Sequence, residues 1–447
     1  MSPKVMVRLG RPELNALTDC LAATAQGQSS LSFRFAESVA AGQRIYTCAG
    51  PQCAPEAALL HGQVDLVPEE TSFEEVYGRW GRTEAPREGD FTVRLLAAST
   101  PTQIIEIASE VWNGTRWQAV DAIFLEGMPG ARLWLSGSRP ADPELPPERV
   151  ARFTSSFGVE AYQRLRRSTA VVIGAGGTGS VTIPTLARAG VGRIVIVDSD
   201  HITPSNLERT HASFPEHVEA ETLKAELARD HVRNIDPDID VIAYEGRLPQ
   251  PEIVAEVMSA DILIGCTDQH TSRITLAEMA RRYLVPAIDC GGLIEGANGR
   301  VTGQIIQLVV FRPDDPCPVC RGMVDPVRVR QELMSPGERQ RIKDAAGDGD
   351  VPPEAHEVPQ IDTVGYITTV SGTLAAGYAI GMLSGRFDPP FERMQMNLVA
   401  DCLDVTNRPQ GHSPDCNCRM VRGRGDGGAV QAHFAVPDHW KPARLLD

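Results

Sequence analysis

From residue 152 onward the chain alternates short, nearly unbroken apolar runs with longer stretches of mixed polarity. Runs of four to six apolar residues without polar alternation are the mark of strands buried on both faces, and strands that alternate with helical stretches argue for a mostly parallel sheet. Such strands are expected at 170–174 (AVVIG), 193–198 (RIVIVD), 240–244 (DVIAY), 261–265 (DILIG) and 286–289 (PAID). Residues 304–311 and 395–400 read as further, antiparallel strands, and the acidic, Gly/Pro-rich stretch 336–359 reads as an exposed loop. Residues 363–383 (TVGYITTVSGTLAAGYAIGML) are apolar all round and long enough to span a bilayer, with Gly377 and Gly381 at GxxxG spacing. Their Thr, Ser and Gly content favours instead a helix packed on a sheet, and no membrane association is expected.

The first part of the chain carries a weaker pattern. Short apolar stretches at 121–126 (DAIFLE) and 132–135 (RLWL) suggest a smaller α+β module, closed by the Pro- and acid-rich linker GSRPADPELPPERV. The resulting division is an N-terminal domain over 1–147, a larger α/β domain over 148–422 and a loose tail over 423–447 that opens with GRGDGG. A net charge of −15 excludes a broad phosphate-tracking surface, so no nucleic-acid partner is expected. The opening residues MSPKVMVRLGRPELNAL lack an apolar stretch of the secretory kind, which points to the cytoplasm. There ten cysteines are better read as metal ligands or thiols than as a disulfide framework.

Chemistry concentrates in the larger domain. VVIGAGGTGS sets Gly174, Gly176, Gly177 and Gly179 at a strand-to-helix turn, where small residues let backbone amides and a helix N-terminus approach phosphates. The next strand ends at Asp198, spaced to accept hydrogen bonds from ribose hydroxyls. To this point a Rossmann-like NAD-dependent dehydrogenase fits as well as an ATP enzyme. The segment SDHITPSNLERT and the helix after it then add Asn206, Arg209 and Lys224, an amide and two cations suited to the charge that develops on leaving pyrophosphate. Lysines are few (Lys4, Lys224, Lys343 and Lys441), which makes Lys224 notable. Asp268 in LIGCTDQHTSR falls at a strand C-terminus, where it either holds Mg2+ against phosphates or caps the following helix.

As an ordered set these residues resemble the signature of the ThiF/MoeB/HesA superfamily, which includes ubiquitin-activating enzymes. The resemblance covers about 152–418. It implies an adenylyltransferase in which the C-terminal glycine carboxylate of a ubiquitin-like or sulfur-carrier protein attacks the α-phosphate of ATP, in a Mg2+-dependent step. Asp198 would bind ribose, Asn206, Arg209 and Lys224 the phosphates, and Asp268 the metal; Arg209, Lys224 and Asp268 would form the catalytic set. A homodimer and a conjugating enzyme as further partner are implied in the same way. Cys317 and Cys320 match the family's first CxxC pair, and with Cys416 and Cys418 they suit a structural Zn2+ site, although the second pair here is CxC.

Two further departures from the family stand in the sequence. ARFTSSFG has Ser155 where an arginine that reaches a partner subunit is expected, with Arg152 and Arg166 nearby. No cysteine occurs between Asp325 and Tyr366, where thioester-forming members carry their nucleophile; Cys290 is the remaining candidate. The faint likeness of the N-terminal domain to a degenerate JAB/MPN fold lacks the zinc set of that fold, since His61 is its only histidine. Other readings are activation of a small-molecule or tRNA-base carboxylate, and a catalytically inactive scaffold of the same fold.

Overall fold

In the computed structural model the described residues are 5–22, 30–40, 43–49, 60–66, 77, 86, 92–99, 105–126, 132–135, 146–346, 350–358, 362–400, 402–406, 411–425 and 435–446. The chain divides into two units. Unit 1 comprises residues 1–142 together with 281–285 and 419–430, and unit 2 the remainder. The linker expected at 137–150 falls mostly outside the described residues.

Unit 1 contains β1 (Val5–Leu9), α1 (Arg11–Ala22), β2 (Ser30–Ala40), β3 (Gln43–Cys48), β4 (Leu60–Leu66), β5 (Val93–Ser99), β6 (Ile105–Trp112), β7 (Trp117–Ala119), β8 (Ala122–Leu125) and β9 (Arg132–Trp134). They form one mixed sheet in the order β7-β6-β5-β4-β2-β3-β1-β8-β9. Val7, Leu9, Phe35, Val64, Leu95 and Ile123 are fully buried in its core, joined by Leu284 from the returning segment. A second returning residue, Arg422, forms a buried ion pair with Glu13 (Nη2–Oε2 2.7 Å). Such a pair is viable inside a protein because each charge has a partner.

Unit 2 begins with α2 (Ala151–Phe157) and α3 (Val159–Arg167) and continues β10 (Thr169–Ile173), α4 (Gly179–Ala189), β11 (Arg193–Val197), α5 (Pro215–Glu219), α6 (Lys224–Ile235), β12 (Asp240–Glu245), α7 (Pro251–Ser259), β13 (Ile262–Gly265) and α8 (His270–Tyr283). It ends with β14 (Ala287–Ala297), β15 (Arg300–Phe311), α9 (Pro326–Leu333), α10 (Pro336–Ala346), α11 (Gly365–Ser384), β16 (Arg393–Asn397), β17 (Cys402–Thr406) and β18 (Arg444–Leu446). The sheet order is β17-β16-β15-β14-β13-β10-β11-β12-β18. The five strands β14-β13-β10-β11-β12 are parallel, β15 to β17 extend one side antiparallel, and β18 closes the other side antiparallel. Chain order reverses direction at β10, so the crevice beside its C-terminal end is a topological switch point.

The apolar runs are unbroken because helices cover both faces. Ala170 and Val172 belong to one core cluster with Ile194, Ile196 and Ile264. Val171, Ile173, Val195 and Leu263 alternate with them, point the other way and are buried as well. The helix α11, long and apolar enough by composition to cross a membrane, is a core helix with 61% of its most apolar window buried. It packs on β14, β15 and α4. Of its glycines, Gly372 and Gly381 provide close approaches, since a Cβ would stand 2.5 Å from the Thr178 carbonyl oxygen at the first and 2.3 Å from the Phe387 ring at the second, whereas at Gly377 it would meet nothing within 4 Å.

Two segments differ from their expected form. Residues 336–346 are exposed as expected but helical, since Glu338, Arg339, Gln340, Arg341, Lys343 and Ala345 are good helix formers and the glycines and prolines cluster outside them. The end of the chain, expected as a loose tail, contributes β18 to the sheet: Leu446 is buried in the core and Arg444 pairs with Glu245 at 2.6 Å. The strands expected at 286–289 and 304–311 extend into an 11- and a 12-residue hairpin arm. Its turn is Asn298-Gly299, both residues with positive φ (53° and 78°), the geometry that favours this dipeptide.

Candidate nucleotide site and metal centre

The glycine turn follows β10. Gly174 has φ +98°, and a Cβ there would stand 2.8 Å from the Cys266 carbonyl oxygen after β13; at Gly179 it would stand 2.0 Å from the Gly174 carbonyl oxygen. Only glycine lets these three segments converge. Gly177 lies against Thr368 of α11, whereas a Cβ on Gly176 would meet nothing within 4 Å. Packing therefore does not demand glycine at 176, and the space beside it is open. Among the described residues the amides of Gly176 and Gly177 donate to no acceptor, and both residues are half-buried. Unpaired donors at the entrance to α4 form a cradle for an anion.

Asp198 follows β11. Its Oδ2 accepts from the Ala175 amide at 2.7 Å and its Oδ1 from the Asp200 amide at 2.9 Å, so the carboxylate is fixed beside the glycine turn. Burial pushes the Asp198 pKa up, the Lys224 ammonium opposes that, and the Asp200 charge adds to it. Lys224, the first residue of α6, places its Nζ 3.0 Å from Asp200 Oδ2, and its amide donates to the Asp200 carbonyl at 2.9 Å. Burial works against ionisation of Asp200, but Lys224 and then Arg247 outweigh it and hold its carboxyl below the ordinary value.

Between β11 and α6 the chain crosses the mouth of the turn. Asn206 is buried and its Oδ1 accepts from the Thr203 amide at 3.2 Å, capping the short turn Pro204–Asn206. Its amide nitrogen is the end suited to an anion. Arg209 reaches the Ser205 carbonyl at 2.8 Å. His211 ties this segment down, its amide donating to Ser180 Oγ at 2.9 Å and its Nε2 meeting Thr369 Oγ1 at 2.9 Å. Asp268 is exposed beyond β13. It is not the cap of α8: the carboxylate of Glu332 on α9 accepts from the His270 and Thr271 amides at 2.9 and 2.8 Å and from Thr271 Oγ1 at 2.7 Å.

Cys290 is fully buried, with its sulfur 3.7 Å from that of Cys266. The hydrogen bond from Cys266 and burial push the Cys290 thiol well up, which leaves it a poor nucleophile. Arg166 is bound to Asp236 at 3.1 Å, while Arg152 and Ser155 are exposed. Sequence reasoning missed Asp200, Glu332 and Arg247. Asp200 carried a signal, two residues past Asp198 in VDSD, but Glu332 acts from 61 residues beyond Thr271 and left no local mark.

The four cysteines expected to group do so. The Cys317, Cys320, Cys416 and Cys418 sulfurs lie within 4.8 Å of one another, with separations of 3.6, 3.6 and 3.7 Å along three edges. A zinc ion with bonds of about 2.3 Å sets tetrahedral sulfur–sulfur edges near 3.8 Å, so the donor set fits. The Cys418 sulfur and burial push the Cys317 thiol up, and burial pushes Cys416 up to about 11. A divalent cation reverses this by favouring the thiolates. The Ser413 amide donates to Cys320 Sγ at 3.3 Å, and His412 Nδ1 meets Cys418 Sγ at 3.3 Å.

A glycine turn at a strand–helix junction, a carboxylate closing the next strand and a switch point between them define a Rossmann-like α/β protein of the nucleotide-binding type. The ThiF family profile matches residues 149–420, and the chain belongs to that family. The SAMP-activating enzyme E1 of Haloferax volcanii is 30% identical over 261 residues, which is 58% of this chain and 83% of that protein. The adenylyltransferase and sulfurtransferase UBA4 of Candida glabrata is 30% identical over 169 residues, 38% of this chain. The chain spans only 37% of the length of that yeast relative. Among solved structures, Escherichia coli MccB with MccA-N7isoASN superposes with a TM-score of 0.47 at 19% identity, covering 61% of this chain and 75% of that one.

Proposed function

We propose that the protein adenylates the C-terminal glycine carboxylate of a ubiquitin-like or sulfur-carrier protein, using ATP and Mg2+. The observation that carries this reading is the open glycine cradle with its unpaired amides beside a fixed Asp198 and a cationic crossing segment, in a chain of the ThiF family. The carboxylate oxygen attacks the α-phosphorus, the bond to the bridging β-phosphate oxygen breaks, and pyrophosphate leaves. Asp198 accepts from the ribose hydroxyls. Asn206 and Arg209 meet the phosphates, and Lys224 reaches them from the far side of Asp200. These groups are preorganised for charge that appears on the leaving group. Asp268, exposed at the strand end and unused as a cap, holds Mg2+, which neutralises phosphate charge when bound.

Zn2+ in the four-cysteine cluster is structural, closed to substrate by its four sulfurs. The protein is read as a homodimer in which both copies carry Ser155 at the partner-reaching position and hold Arg166 in its ion pair with Asp236. Unit 1 is read as an interaction module. Similarity to the SAMP-activating enzyme and to UBA4 supports a small protein as substrate.

Calorimetric titration tests the reading. Mg-ATP is expected to bind, NAD is not, and Asp268→Ala should weaken Mg-ATP by about 10- to 100-fold. Pyrophosphate release should require a small protein ending in Gly-Gly; release with a small carboxylate alone would overturn that substrate assignment.

A further inference from the structure

The returning end of the chain carries an inference that rests on the nucleotide reading. With phosphates at the glycine turn after β10 and ribose at Asp198 after β11, a bound nucleotide runs across consecutive strand ends, and its base comes next to the end of β12. That end is Glu245 to Arg247. Arg247 turns back toward the ribose carboxylate: its Nε donates to Ser199 Oγ at 3.0 Å, one residue from Asp198. Its charge helps depress Asp200, after the larger effect of Lys224. Over the guanidinium lies the indole of Trp440, 5.6 Å from ring centroid to Arg247 Cζ.

Trp440 belongs to a segment anchored just beyond this contact. Downstream, β18 pairs with β12 in register Glu245 to Arg444 and Ala243 to Leu446. The neighbouring carbonyl of Lys441 accepts from the side chain of Gln250, itself buried. Gly246 makes the approach possible, since a Cβ there would stand 2.8 Å from Ala443 Cβ. An exposed sheet edge needs only a strand to cover it; it does not need an indole laid on a cation at the nucleotide end of that strand.

We propose that Trp440 and Arg247 form the wall of the base subsite, with the indole positioning a guanidinium plane on which a purine stacks. Trp440 is a positioning residue acting through Arg247, and the ligand is the adenine of ATP. Planar guanidinium and indole groups suit such stacking, and an aromatic partner holds an arginine plane in one orientation.

The test compares Mg-ATP and Mg-GTP binding to wild type, Trp440→Ala, Trp440→Phe and Asp198→Ala in the full chain. Trp440→Ala should weaken Mg-ATP and Mg-GTP by about tenfold each, since a stacking plane accepts either purine, and leave competition by inorganic tripolyphosphate unchanged. Trp440→Phe should restore most of the affinity for both nucleotides. Asp198→Ala should weaken both nucleotides alike. A Trp440→Ala protein that melts at lower temperature yet binds Mg-ATP and Mg-GTP as tightly as wild type would overturn the inference alone. A wild type that binds neither nucleotide would overturn the nucleotide reading and the inference with it.

Discussion

Lys224 sits 3.0 Å from Asp200 and is the largest influence lowering the pKa of Asp198 and Asp200 against burial. The sign of its removal follows. In Lys224→Met both carboxyls lose that influence and both pKa values rise. Binding that needs Asp198 ionised then fails at a higher pH. Mg-ATP affinity, normalised to its own maximum, should therefore fall off at higher pH in Lys224→Met than in wild type as the solution is acidified. Superimposable profiles would show that the ammonium serves the phosphates only. At this scale the sequence was legible where a residue acts within its own motif, as the glycines and Asp198 do. It was silent where a group acts through the fold: Glu332 caps a helix whose sequence has no reason to name it, and Arg247 acquires meaning only once Trp440 returns to it.

Strands of the parallel sheet could be read because burial on both faces removes polar alternation, leaving runs such as TAVVI and RIVIV. The register of the hairpin arm was written in Asn298-Gly299, a signal the apolar runs overshadowed. α11 was ambiguous for a physical reason: a helix wrapped on most sides by sheet and helices has no polar face to set a period. Its glycines separate the two readings. Gly372→Val should push α11 from the Thr178 carbonyl and cost about 1–3 kcal/mol in chemical denaturation. Gly377→Ala, with open space around it, should be neutral or stabilise by about 0.5–1 kcal/mol. A helix packed through Gly377 would give the reverse order.

For the whole molecule, the cysteine cluster joins positions 99 residues apart, Cys317 and Cys416. It clamps the start of the segment carrying α9, α10 and α11 to the stretch after β17. One zinc per chain is expected by elemental analysis. Removing it with a strong chelator, or replacing Cys416 by Ser, should lower the melting temperature and expose the β15–β17 side to proteolysis first, while the glycine turn stays protected. Unchanged stability after complete metal removal would assign the cluster another role. The spacing of the four cysteines announced this site. The course of the chain after it was hidden, because the Gly- and Arg-rich run past Cys418 carries no apolar period.

That course has a consequence for how the protein is made. Unit 1 holds Leu284 in its core and Arg422 in its buried pair with Glu13, and it takes in 419–430. A ribosome reaches those residues on the order of tens of seconds after finishing residue 142, at the usual rates of synthesis. The first-made part of this chain is therefore the part that must wait. Glu13 stands without its partner and open to chaperones during that interval, and the N-terminal unit closes only when nearly all of the later one has emerged.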